Sequence, residues 1–565
     1  MQRVKGFHVC AAALCVGLLV GVPAAGQETG QTARIIDRIV EGEQQFLEKM
    51  LPLHPILETY IQEFGGPTIL RDDYLLGRLT IAGRGDVEGI TMSSRFQKPT
   101  RKKTSGPFGT QPRDYTKSQS SRDKNGMSWV PAGWGQMVIP DGLGFDRSTY
   151  DFVYSRREFL GDVRCLVFDV SPLDKKAAGR FLGTIWVEDQ DFKIVRFNGT
   201  YSGSKLAQMF FHFDSWRVNV APGLWAPAFV YIEEMDEGGK PGPEPRFKAQ
   251  TRLWGYQGVQ NGRLDELSSL QIESQAVVDK SGSHDVTPVE GQRLWQKQAE
   301  QNVIQRLEKS SLVAPAGEVD QVLNTVVNNL MATNNLNLDV KCRVLLTTPF
   351  ETFSIGQTIV ISRGLVDVLP DEATLAMVLA EELAHIVLGH RAATSYAFGD
   401  QVMFDDGDMI RKLHLTLSPL EIDAAAAKAI QILANSPYAN KLGNAGLFLQ
   451  ALQSRVSSLP NLVLANLGNQ FASEGNMRQL MALAQKAPPL EENKIDQIAA
   501  LPLGSRVNLD VWTNQITLIK AEAVTFVSSR EKMPFEVTPM AIHLTRLAAK
   551  GGAPAGPPEI PHRER

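Results

Sequence analysis

The sequence is poor in cysteine and nearly balanced in charge. Only four cysteines occur in 565 residues, and Cys10 and Cys15 lie in the apolar N-terminal segment. Cys165 and Cys342 remain, too few for a disulfide framework, and a single bond between them is not favoured because they fall in different predicted domains. The formal net charge is −4, from 58 basic and 62 acidic residues. This balance does not favour nucleic acid or an anionic membrane as a partner.

One apolar run stands out, and it lies at the N-terminus. Arg3 and Lys5 precede an uncharged stretch over residues 7–22, which small residues follow, as in a secretory signal peptide. The stretch is shorter than the roughly 20 residues of a membrane span. We therefore predict a signal peptide at residues 1–26 and an exported protein of the periplasm or cell envelope. A retained membrane anchor is the alternative.

The first half of the chain changes from a helical to a strand pattern. Residues 31–64 show helical spacing of apolar residues, with Pro55 marking a break. Alternation of apolar and polar residues then predicts a meandering antiparallel sheet of at least six strands. The strands are predicted at residues 150–156, 163–170, 181–188, 193–201, 209–218 and 228–233. We expect an N-terminal helix and β domain over residues 31–280.

The second half of the chain is mainly helical. Apolar residues recur at spacings of three and four in several segments, and one predicted strand pair, 340–347 and 352–362, interrupts them. The helical segments are residues 294–311, 317–333, 371–393, 419–435 and 443–455. We predict a helical domain at residues 290–500, a small C-terminal β element within 501–548 and a disordered tail at 551–565.

Residues 381–390 read Glu-Glu-Leu-Ala-His-Ile-Val-Leu-Gly-His, one substitution away from the H-E-x-x-H helix of zinc peptidases. In that motif two histidines hold the metal, and the intervening glutamate is the general base for a metal-bound water. Glu382 has the position of the base and His385 that of the second ligand. Glu381 stands where the first histidine belongs, one helical turn from His385, so both side chains can reach one ion.

The surroundings of this segment carry a family resemblance. The chain reads G-Q-T-I-V-I-S-R-G-L at 356–365, D-E-A at 371–373 and V-L-A-E-E-L-A-H at 378–385. In this order the runs resemble the HtpX and CAAX-prenyl-protease family of gluzincin metallopeptidases, over about residues 301–452. The resemblance implies a zincin-like fold, zinc as cofactor and a polypeptide substrate.

The same resemblance implies a third metal ligand. Glu421 falls at the ligand position of the family, within Ser418-Pro419-Leu420-Glu421. Ser418 and Glu421 also have the spacing of a capping box at a helix start, and both roles are open. The implied metal ligands are thus Glu381, His385 and Glu421, with His414 as a candidate replacement.

A carboxylate at the first ligand position changes the charge balance of the ion. It weakens the pull of the metal on water and favours harder divalent ions over zinc, or no metal at all. We therefore expect hydrolysis to be reduced or lost. The scaffold would still offer a peptide cleft along residues 353–361, because peptides add to strand edges by backbone pairing. We predict Phe353, Ile355 and Ile359 as substrate-binding residues.

Residues 183–196 show a strand-turn-strand pattern with an Asp-x-Asp turn. Over about residues 58–258 the chain resembles the LolA/LolB-like lipoprotein-sorting fold, a curved half-barrel, which implies a bound lipid or lipoprotein. The predicted fold class is α+β multidomain: an N-terminal curved antiparallel sheet followed by a mainly helical zincin-like domain. The predicted function is a metalloendopeptidase-family protein of envelope protein quality control with activity reduced or lost. The alternative is a non-catalytic peptide-binding or lipoprotein-binding envelope protein.

Overall fold

The structure is a computed structural model that describes most of the chain from residue 25 to residue 547. The gaps in this range are 66–67, 82–86, 97–133, 143, 175, 178, 203–210, 235–246, 257–287, 393–414, 466, 469–479, 481–482, 484–485, 492, 495 and 520–534. Residues 1–24 of the predicted signal peptide, the predicted tail at 551–565 and His414 lie outside the described residues.

Ten strands form one antiparallel sheet in the N-terminal half, in the order β3-β2-β1-β10-β9-β8-β7-β6-β5-β4. The strands are β1 Ile56–Gly65, β2 Thr68–Ile81, β3 Val87–Phe96, β4 Tyr150–Leu160, β5 Val163–Pro172, β6 Phe181–Glu188, β7 Ile194–Tyr201, β8 Phe211–Ala221, β9 Leu224–Glu234 and β10 Phe247–Trp254. Strands β3 and β4 form the two outer edges, so the sheet is open. The six predicted strands are confirmed as β4 to β9.

The helical prediction for residues 31–64 is wrong in its second part. Helix α1 covers Ala25–Met50, and the chain then enters strand β1. Strand β1 lies between β2 and β10 and is buried on both faces at most of its positions. A strand buried on both faces lacks the alternation of apolar and polar residues that identifies a half-exposed strand. Helix α1 packs against β7, and a short 3₁₀ helix, Gly135–Val138, packs against β3, β8 and β9.

The C-terminal half is mainly helical, as predicted. Its helices are α2 Pro288–Lys309, α3 Glu318–Thr333, α4 Arg363–Val368, α5 Glu372–Leu388, α6 Pro419–Ala434, α7 Gly443–Arg455 and α8 Pro460–Val463. Strands β11 Lys341–Leu345, β12 Thr352–Ile355 and β13 Thr358–Ser362 form a sheet in the order β11-β13-β12. Strands β14 Val507–Leu509 and β15 Ile516–Leu518 form the small C-terminal β element. The predicted fold class is confirmed.

Two predicted boundaries in this half are wrong for reasons of glycine geometry. Residues 352–362 form a hairpin, not one strand, because Gly356 takes φ +59° in the turn between β12 and β13. The helix predicted over 371–393 stops at Leu388, because Gly389 takes φ +73° and ends it in the left-handed region.

Buried polar contacts join the two halves into one body. Glu58 of β1 accepts hydrogen bonds from the backbone N–H and the hydroxyl of Thr348, both at 2.6 Å, and from Arg363 at 3.2 Å. On the next strand, Asp72 accepts from the backbone N–H groups of Asn461 and Leu462 at 3.1 and 2.9 Å. The buried apolar residues of the two halves also form one cluster. The N-terminal sheet therefore supports the helical region directly.

Two further findings concern the cysteines and the helices. Cys165 and Cys342 are both buried free thiols. None of the helices within the described ranges is long and apolar enough to span a membrane.

Candidate metal and peptide site

Helix α5 carries the altered zinc motif in the centre of the helical region. Asp371 caps its start by accepting the N–H of Thr374 at 2.8 Å. The helix packs against α3, α6 and α7 and against the hairpin strands β12 and β13. Because neighbours surround it, its residues from 376 to 385 are all buried, and Glu381, Glu382 and His385 share that environment.

The two adjacent glutamates carry an electrostatic conflict. Burial raises the pKa of Glu381 to about 8, and the nearby charge of Glu382 acts in the same direction. Two carboxylates this close in an apolar environment do not both ionise at neutral pH. Glu381 therefore holds its proton at pH 7, and a protonated carboxyl is not a metal ligand until it releases that proton.

His385 contacts a histidine that the sequence prediction missed. Its Nδ1 lies 3.0 Å from Nδ1 of His390, which follows the C-terminal Gly389. The backbone N–H of His390 donates to the carbonyl of His385 at 3.0 Å, so the chain reversal at Gly389 folds the second ring back onto the first. Burial, with a smaller effect of His390, lowers the pKa of His385 to about 4. His385 is neutral at pH 7, and its Nε2 is buried without a hydrogen-bond partner.

Glu421 begins helix α6 and is engaged in the capping box that its spacing predicts. Its Oε2 accepts from the backbone N–H of Ser418 at 2.9 Å and from the Ser418 hydroxyl at 2.6 Å. These bonds lower the pKa of Glu421, and the neighbouring His390 and His385 act in the same direction. Glu421 thus lies near the two histidines, and its carboxylate is held by its own helix start.

The predicted peptide edge is the outer strand of the small sheet. Phe353 and Ile355 lie in β12, whereas Ile359 lies in the central strand β13. All three side chains are buried in the core. A peptide along this edge would therefore meet the backbone of β12 and not these side chains.

One cavity in the described part of the N-terminal half is small. It lies between α1 and the sheet, and Phe46, Lys49, Lys193, Arg217 and Trp225 contribute to its lining. Its volume is about 10 Å³, space for one water molecule and far too little for an acyl chain. Lipid or lipoprotein binding by this half remains a prediction.

One family model matches part of the helical region. Residues 319–406 match the model of Peptidase family M48. The M48 match contains α3, the β11–β13 sheet and the motif helix α5, and it ends before Glu421. The resemblance to a metallopeptidase family drawn from the sequence is thus confirmed for these residues. A search of curated proteins found no match.

Two solved structures are similar to part of the chain, with low scores. A LolA superfamily protein from Nitrosomonas europaea has 11% identity and a TM-score of 0.21, over 39% of this chain and 91% of its own. A DUF1329 family protein from Desulfovibrio piger has 10% identity and a TM-score of 0.22, over 39% of this chain and 90% of its own. With TM-scores this low, neither structure assigns a fold family to the N-terminal sheet.

The residues at the M48 ligand positions do not fit a zinc ion as they stand. A zinc peptidase site holds its metal with three protein ligands, each about 2.0–2.2 Å from the ion. Across the described ranges, no three His, Cys, Asp or Glu side chains come together in a way that could hold a metal ion. In the metal-free chain burial favours the protonated form of Glu381, and Oε2 of Glu421 accepts a hydrogen bond from the Ser418 hydroxyl. Within the described residues, the side chains at these positions therefore do not form a ready three-ligand metal site.

Proposed function

We propose that this chain is an exported metallopeptidase-family protein of the cell envelope that binds polypeptide at its M48 region and hydrolyses it weakly or not at all. The observation that carries this proposal is the buried Glu381 at the first ligand position. Its carboxyl lies beside Glu382 in an apolar helix and keeps its proton at neutral pH. The helix keeps glutamate at the base position, Glu382, and histidine at the second ligand position, His385.

Hydrolysis at this centre would require one unfavourable change. Glu381 would have to release its proton next to Glu382, whereas the bonds from Ser418 engage only Oε2 of Glu421. Release of the Glu381 proton costs free energy that is subtracted from metal affinity. A base such as Glu382 acts on a water that a metal has made acidic, so a poorly held metal also leaves the base without its substrate water.

Polypeptide binding does not depend on that centre. Strand β12 is the outer strand of its sheet, and backbone pairing at a sheet edge needs neither an ion nor a base. Loss of the first histidine therefore leaves this property of the scaffold intact.

The test combines metal analysis with assays of a labelled unfolded polypeptide. We expect wild-type protein to carry substoichiometric metal, to bind fluorescein-labelled casein and to cleave it slowly or not at all. Glu381→His restores an imidazole and should raise both metal content and cleavage. Glu381→His combined with Glu382→Gln is the matched control, because it keeps the restored ligand and removes the base.

The opposite pattern would refute the proposal. One zinc per wild-type chain, together with casein turnover that Glu382→Gln abolishes, would show an active peptidase. Wild-type protein that neither binds nor cleaves casein would remove polypeptide as the ligand.

A further inference from the structure

The chain covers its own candidate peptide edge. Leu462, Leu467 and Gly468 lie beside the start of β12, and we call these three residues the covering segment. The N–H of Phe350 donates to the carbonyl of Leu462 at 2.8 Å, and the N–H of Leu467 donates to Oε2 of Glu351 at 3.1 Å. Two contacts at opposite ends of the covering segment therefore hold it against the approach to β12.

Gly468 makes the closest approach to the strand. A Cβ added to Gly468 would lie 2.1 Å from the carbonyl oxygen of Thr352 and 3.1 Å from the ring of Phe353. No side chain fits at this separation, so the glycine permits the backbone of the covering segment to lie directly on β12.

The register of the hairpin shows that this contact is on the outward side of β12. Ile355 pairs with Thr358 across the two-residue turn, and Phe353 pairs with Val360. In such a hairpin these residues exchange hydrogen bonds with β13, and the alternate residues direct their N–H and C=O away from it. The Thr352 carbonyl therefore belongs to the edge that an added peptide would use, and Gly468 lies on it.

The N-terminal sheet anchors the beginning of the covering segment. Asp72 of β2 is fully buried, and its Oδ1 accepts from the backbone N–H and the side-chain amide of Asn461 at 3.1 and 3.0 Å. Its Oδ2 accepts from the N–H of Leu462 at 2.9 Å and from the Tyr60 hydroxyl at 3.0 Å. The covering segment thus leaves directly from a buried, charge-assisted anchor.

We propose that the covering segment closes the β12 edge and that the N-terminal sheet keeps it closed through Asp72. This regulation rests on the proposed function, since it assigns peptide binding to the same edge. Polypeptide binds only to molecules in which the covering segment has moved away from β12. The apparent affinity is then reduced by the fraction of molecules in that open state.

The experiment opens the edge by substitution at Gly468. Gly468→Ala places a methyl group against the Thr352 carbonyl and should displace the covering segment. The matched control is Gly443→Ala at the start of α7, where an added Cβ meets nothing within 4 Å. Binding of fluorescein-labelled casein is measured by anisotropy on the full exported chain. Hydrogen exchange of the Phe350 and Leu467 amides reports whether the segment has moved.

We expect Gly468→Ala to speed exchange at both amides and to lower the Kd for casein about ten-fold, as for an edge open in a tenth of molecules. Gly443→Ala should change neither. Asp72→Asn weakens the anchor at a site remote from the edge and should shift affinity in the same direction. Agreement between the two variants would exclude a local effect of the methyl group that Gly468→Ala adds.

Faster exchange without tighter binding would overturn the regulation, and so would unchanged exchange in both variants. If wild type and Gly468→Ala bind casein equally, the proposed function stands and only the regulation by the covering segment is refuted. If neither protein binds casein although exchange shows that the covering segment has moved, both the regulation and the polypeptide ligand are wrong.

Discussion

Substitution of Glu58 by Gln tests whether the N-terminal sheet and the helical region unfold as one unit. Glu58 and Arg363 are each 1% exposed, and their side chains meet at 3.2 Å between β1 and α4. Arg252 and Asp367 are buried close by, and their charges act on the same arginine. Two cations and two anions thus share one buried space, and Glu58→Gln removes one anion without changing the volume.

The expected magnitude follows from the burial. Removing one partner of a buried ion pair costs about 3–5 kcal/mol, because the other charge stays buried without compensation. Glutamine retains an oxygen for the hydroxyl or the N–H of Thr348, so some hydrogen bonding survives. Asp367 also offsets part of the arginine charge. We therefore expect a loss of about 3 kcal/mol in the free energy of unfolding.

The assay is urea denaturation followed by tryptophan fluorescence and far-UV circular dichroism. Tryptophans in the N-terminal sheet report on one half, and ellipticity at helical wavelengths reports mainly on the other. The control is Glu491→Gln, whose partner Lys494 is half-exposed, and for this surface pair we expect no measurable loss. A loss in Glu58→Gln no larger than the control, or a shift of the fluorescence transition alone, would refute the reasoning.

Three further outcomes follow from the described contacts. The pKa of Glu381 in the folded protein is about 8, above its usual 4.5. Between these two values the metal-free folded protein keeps a proton that the unfolded chain has released. The free energy of unfolding therefore falls as the pH rises from 4.5 to about 8. Glu381→Gln should therefore unfold at a higher temperature than wild type near pH 9 and at a similar temperature near pH 5, measured with chelator; parallel curves would contradict this. Gly364→Ala places a Cβ 1.8 Å from the Thr348 carbonyl oxygen and should lower the free energy of unfolding by about 3 kcal/mol in the same urea assay. An unchanged urea midpoint of unfolding would contradict this prediction. Burial raises the pKa of the Cys165 and Cys342 thiols to about 12, so in a chain that lacks residues 1–26 both thiols should resist DTNB when folded and react in guanidinium. Rapid labelling of the native protein would show the burial to be wrong.

Prediction from sequence succeeded where the determining contacts are local. Residues 419–434 form a helix that begins with the Ser418–Glu421 capping box, and both partners lie three residues apart in the chain. Strands β4 to β9 were identified by alternation, since their neighbours in the sheet are also their neighbours in sequence. His390 was missed because a helix continuing to residue 393 would turn its side chain away from His385, whereas the helix ends at Gly389 and the chain folds back.

Strand β1 and the contacts between the two halves could not be predicted from sequence patterns, for a physical reason. Strand β1 pairs with β10, the last strand of this sheet in chain order, and burial on both faces removes the alternation that would have identified it. The cluster of Glu58 and Arg363 joins positions that lie 305 residues apart. No pattern within a single segment reports such a contact.

By itself the sequence determined the motif helix, its altered ligand position, the Ser418–Glu421 capping box and the resemblance of the surrounding residues to a metallopeptidase family, because these depend on residue identity at fixed local spacing. The tertiary structure alone decided two other properties. Burial beside Glu382 raises the pKa of Glu381 to about 8. The fold also brings Gly468 onto β12 and secures Leu462 to the N-terminal sheet, since burial and long-range pairing exist only after the chain has packed.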